Sequence, residues 1–144
     1  MNEAPAAKKR PVWVWVISIY YALSSVSTVV SGYLIFSGLI PITPEVKGYI
    51  GRLSAFDYGL AIVQILISLS AIVALFLLRR PATYLFWSYL AVEVGWHVWH
   101  IAPRGWITAI RSMTGASAED IIGIGILLAV CVYSEKLKRQ GTLT

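Results

Sequence analysis

Tyr89, Glu93, His97 and His100 follow one another at intervals of four, four and three residues. On an α-helix, at about 100° per residue, these four side chains fall within a quarter of the circumference and form one polar stripe. A carboxylic acid with two imidazoles can exchange protons, ligate a metal or satisfy itself through hydrogen bonds. The structural reading is a network in which Glu93 bonds His97 one turn on, with His100 at the membrane interface and with Gln64 or the hydroxyls of the first apolar run as further partners. The metal reading is limited, because Glu93 and His100 are separated by roughly 10 Å of helical rise and cannot reach one ion. A second helix would have to supply ligands, and the chain has no other histidine. A haem with two histidine ligands requires them on opposite sides of the ring, so it could form only between subunits. A proton or cation path uses the same residues differently, with the acid near mid-membrane and two imidazoles leading outward.

The element that carries this stripe must be long and apolar. Charged residues make up 13% of the 144-residue chain, against about 25% in soluble domains, so lipid is expected to solvate much of the surface. No charge occurs between Pro11 and Pro44, and the first span is read at 12–36. Pro11 suits a helix start, and Trp13 and Trp15 sit at the depth of an aromatic belt. A second span, 57–78, ends at Arg79-Arg80, and Pro81 at once opens a third, 81–101, as its antiparallel neighbour. The fourth, 119–136, contains only a short uncharged run, Ile121 to Ser134, a length that also suits a re-entrant segment. Lys136, Lys138 and Arg139 can snorkel at its end, which favours crossing.

The expected architecture is therefore all-α, an integral membrane four-helix bundle over 11–137. Cytoplasmic tails are expected at 1–10 and 138–144. Lys8, Lys9, Arg10, Arg79, Arg80, Lys136, Lys138 and Arg139 fall on one side, against Lys47, Arg52, Arg104 and Arg111 on the other. Eight against four places both termini inside. Each outer loop is expected to hold a short interfacial helix. Thr43, Pro44 and the apolar Val46, Tyr49, Ile50 and Leu53 make the first, and Trp106, Ile107, Ile110 and Met113 the second. Capping-box patterns follow at Ser54 to Asp57 and Ser117 to Asp120. The first of these accounts for Asp57 without a functional role, whereas Gln64, deeper in its span, needs a hydrogen-bond partner inside the bundle.

Ser24, Thr28 and Gly32 recur every four residues on one face of the first span, and Gly125 and Ala129 do so on the fourth. In lipid, close approach at small residues is what holds helices together, so these faces are expected to pack within the bundle or between copies. The tryptophans and tyrosines lie mostly near the predicted interfaces and anchor the helices there. Cys131, the single cysteine, lies in an apolar run and excludes an intramolecular disulfide.

Basic residues clustered at helix ends exclude a nucleic-acid stripe. The sequence holds no Gly-rich phosphate loop, nucleophile elbow or CxxC. The plan resembles small four-span bacterial inner-membrane proteins, without a motif that names a family. The expected function is non-enzymatic, as an accessory subunit of a membrane complex or a homo-oligomer, with no cofactor and with lipid and other membrane subunits as partners. A proton-coupled or cation-conducting transporter is the alternative, and an inter-subunit haem protein the third reading.

Overall fold

The computed structural model describes residues 10–101 and 116–143, with the backbone alone at 45, 49, 100, 101 and 116–120. Five helices follow in order, α1 (Val12–Phe36), α2 (Pro44–Ile50), α3 (Ala55–Phe76), α4 (Pro81–Ile101) and α5 (Ala116–Arg139). The fold is all-α, with no strand among the described residues. Of these helices, α1 and α3 are long and apolar enough to cross a membrane, judged by length and composition. The four-helix membrane bundle expected from sequence is thus matched at the level of fold class, with two such helices where four were read. The second expected interfacial helix, Trp106 to Met113, lies outside the described residues.

Local chemistry sets the helix ends. At the start of α3, Ser54 accepts from the Asp57 amide and the Asp57 carboxylate accepts from the Ser54 amide, a reciprocal capping box. Thr43 accepts from the Val46 amide ahead of α2. By contrast α5 is already helical at Ala116, so Ser117 falls within the helix and not ahead of its first residue. With 24 residues α5 is about 36 Å long, well beyond its short uncharged run.

Three helices close with the same device, in which a residue at positive φ lets its own amide and the next one reach back to the last turn. Glycine fills that position after α1 and α5, at Gly38 and Gly141. After α3 it is Leu78, at φ 54°, with its side chain buried and the Arg79 amide bonded to the Ala74 carbonyl. A leucine there costs about 1 kcal/mol of backbone strain, held in place by its burial. The chain thereby reverses within a few residues and lays α4 antiparallel to α3.

Packing runs from α1 to α3, from α3 to α4 and from α4 to α5, while α1 and α5 meet only weakly. The buried apolar residues are Val14, Ile17 and Tyr21 of α1, Ala71, Ile72 and Leu75 of α3, Leu78 of the following turn, Ala82, Phe86 and Leu90 of α4, and Leu127, Val130, Cys131 and Leu137 of α5. Leu143, beyond α5, folds back into the same cluster. All of these lie toward the end where α1 and α4 begin and α3 and α5 finish. Arg10 stacks on Phe76 at 4.3 Å and Lys138 on Tyr84 at 4.5 Å, so that end also gathers the cations. Large apolar side chains such as Ile19, Leu23, Val26, Ile62, Leu66, Val73 and Val132 point outward.

Candidate functional site

The α3–α4 reversal fixes the register of the site. Gln64 lies 12 residues before the end of α3 and Glu93 lies 12 residues after the start of α4. Both are therefore about 18 Å from the turn, at one level. The Gln64 side-chain amide donates to the Glu93 carboxylate at 2.5 Å. This joins two polar side chains near the middle of their helices, and it gives Gln64 the partner that its position demanded.

His97 behaves differently from the sequence expectation. Its Nδ1 lies 2.8 Å from the main-chain carbonyl of Glu93 and 3.9 Å from the carboxylate. A helical side chain leans back over the preceding turn, which brings the ring onto that carbonyl first. With a carbonyl as acceptor, Nδ1 carries the proton, and in the neutral ring Nε2 is then the acceptor. The Glu93 and His97 side chains are 27% and 25% exposed, so the pair is open to one side instead of sealed in a core. His100 belongs to α4 by its backbone, and its side chain lies outside the described residues.

Tyr89, one turn below Glu93, is half-buried and sets its ring edge-on to Tyr21 of α1 at 6.4 Å. It borders a cavity of about 120 Å³ between α1, α3 and α4, lined also by Ser24, Ser25, Thr28, Gln64 and Ser68. The sequence stripe on α4 is thus met by a hydroxyl-rich face of α1 and a polar edge of α3. Ser68, which with Ala71 and Ala74 forms a small-residue surface on α3, meets Ser25, which had no distinguishing spacing in the sequence; their hydroxyls lie 3.5 Å apart across the α1–α3 contact and both are buried. The Thr28 hydroxyl donates to the Ser24 carbonyl one turn back.

The small-residue faces are placed without close helix contact. A methyl group added at Gly32 or Gly125 would meet nothing within 4 Å, and Ser24, Thr28 and Ala129 are exposed. No close helix–helix seam forms at Gly32 or Gly125 among the described residues. Among the described residues no third His, Cys, Asp or Glu joins Glu93 and His97 in a group able to hold a metal. Chemically, the arrangement offers a carboxylate bonded to an amide, an imidazole one turn outward, and a small polar cavity beside them. Comparison of the chain with protein-family models, with curated proteins and with solved structures finds no match.

Proposed function

We propose that this chain is a four-span protein of the bacterial inner membrane with both termini cytoplasmic. In this reading α1, α3, α4 and α5 cross the bilayer, and α2 lies on the outer surface. Its role is non-enzymatic and is exerted through helix association, as an accessory subunit of a membrane complex or as a homo-oligomer. The topology is supported by the charges at one end, where Arg10, Arg79, Arg80, Lys136, Lys138 and Arg139 gather beside the start of α1 and the α3–α4 turn. Outward-facing apolar side chains along α1 and α3 suit a lipid solvent.

One observation carries the association reading. The buried apolar cluster stops near the level of Tyr21 and Leu90, and beyond it Ser24, Thr28, Gln64, Glu93 and His97 stand half-buried or exposed. Within hydrocarbon such groups face protein or water, so a second copy or a partner helix over the outer half would cover them. A cysteine at Thr28 (Thr28→Cys) should cross-link to a second copy or to a co-purifying membrane subunit in native membranes, and one at Ile19 (Ile19→Cys) should not. A chain that is monomeric in mild detergent and brings down no membrane protein would overturn the association. Tags at Met1 and Thr144 should both be cytoplasmic and a reporter within 48–51 outside, and an external Thr144 would end the four-span reading.

A second reading, proton or cation conduction, is favoured by the polar cavity next to the Gln64–Glu93 bond. It requires Glu93→Gln to abolish flux into liposomes without loss of fold, and His97→Ala to change the pH dependence.

A further inference from the structure

The weak α1–α5 contact leaves a groove of about 570 Å³ in the basic half of the molecule, opposite the α3–α4 side. Trp13, Tyr20 and Tyr21 of α1 and Ala129, Tyr133 and Lys136 of α5 are among its walls. Its floor is apolar, and among the described residues that line it Lys136 is the one that carries a charge. We propose that this groove holds one acyl chain of an anionic phospholipid from the cytoplasmic leaflet, with the phosphate at Lys136.

Dimensions and charge support this occupant together. From Ile126 to Lys136 the groove follows α5 for ten residues, about 15 Å, half of a hydrocarbon core about 30 Å thick. It is therefore as deep as one leaflet, with its cation at the headgroup end. Charge pairing at that end is selective. Glu135 lies 3.5 Å from Arg139 and 3.9 Å from Lys138, and Lys138 also reaches the Tyr84 hydroxyl. Lys136 forms no ion pair or hydrogen bond among the described residues, so the groove presents an uncompensated cation. An anionic headgroup neutralises it, whereas a zwitterionic choline lipid brings a second cation alongside. Aromatic rings at the rim suit the boundary between headgroup and acyl chain. A second copy of this chain fits less well, because a two-fold contact through the groove would bring the two Lys136 side chains to one membrane level.

The inference rests on the four-span reading with the basic end cytoplasmic. The full chain, purified in mild detergent, would be presented with equal amounts of dioleoylphosphatidylglycerol and dioleoylphosphatidylcholine and the retained lipid measured by native mass spectrometry. Wild type should retain the anionic lipid about fivefold over the zwitterionic one, Lys136→Gln should lose that preference, and Lys136→Arg should keep it. Lys138→Gln, outside the groove, should behave as wild type, and Ala129→Trp, which fills the groove, should retain neither lipid while keeping its helical circular dichroism. Equal retention of both lipids by wild type, or an unchanged preference in Lys136→Gln, would overturn the proposal. So would an Ala129→Cys chain that forms disulfide-linked dimers in phosphatidylglycerol membranes, since a second copy would then occupy the groove. Correct reporter topology with no lipid preference would refute the lipid site alone, whereas wrong topology would refute the membrane reading beneath it.

Discussion

Replacing Glu93 with leucine tests whether the Gln64–Glu93 bond is a structural tie between α3 and α4. The bond joins residues 29 apart in sequence at one level of the hairpin, and its carboxylate is only about one-quarter exposed. Interhelical hydrogen bonds in membranes contribute about 0.6 kcal/mol on average and about 1.7 kcal/mol at most. A charged acceptor lies toward the upper part of that range, and partial exposure lowers it, giving about 1 kcal/mol for the pair. Glu93→Leu also strands the Gln64 amide, so the single substitution should cost about 1.5 kcal/mol. Gln64→Leu should cost a similar amount, and the double variant should be about 1 kcal/mol more stable than additivity predicts. That coupling is about a fivefold change in the unfolding equilibrium. Glu93→Gln keeps an acceptor for the Gln64 amide and should be nearly neutral. Unfolding of the full chain from mild detergent into sodium dodecyl sulfate, followed by helical circular dichroism, measures all four variants. A Glu93→Leu chain as stable as wild type, or a cycle with no coupling, would refute the structural tie.

Two further outcomes follow from the packing. Gly32→Leu should leave the fold of a single chain intact, because nothing stands within 4 Å of the added Cβ, and should disrupt assembly, as Ile19→Leu should not. Gel filtration in mild detergent separates the two effects, and loss of helix content in Gly32→Leu would contradict the open placement of that face. Cys131 is fully buried and free, so a membrane-permeant maleimide should label it only after unfolding, and rapid labelling of the native chain would mean that the α4–α5 contact opens.

The helix ends and the α4 stripe were legible because they depend on neighbours in sequence. Pro11, the Ser54–Asp57 box and the Arg79-Arg80-Pro81 turn each act over a few residues, and they mark helix boundaries without reference to the rest of the chain. The demand of Gln64 for a partner was equally readable, since an amide at that depth is costly alone. Its partner followed once the short turn fixed an antiparallel register. What the sequence left open is which side of each helix meets another. Glu93 was expected to bond His97, with Gln64 or the α1 hydroxyls as further partners, and only the packing shows that Gln64 donates to its carboxylate while the His97 ring lies closer to the main-chain carbonyl than to the carboxylate. Small residues suggested seams at Gly32 and Gly125, where the structure has open space. Confinement of the buried cluster to the basic half, and the groove between α1 and α5, also appear only in three dimensions. The reason is the solvent expected for these helices. In water an apolar face marks the buried side of a helix, but in lipid both faces are apolar, so periodicity no longer tells a neighbour from the bilayer. Only the packed helices decide that.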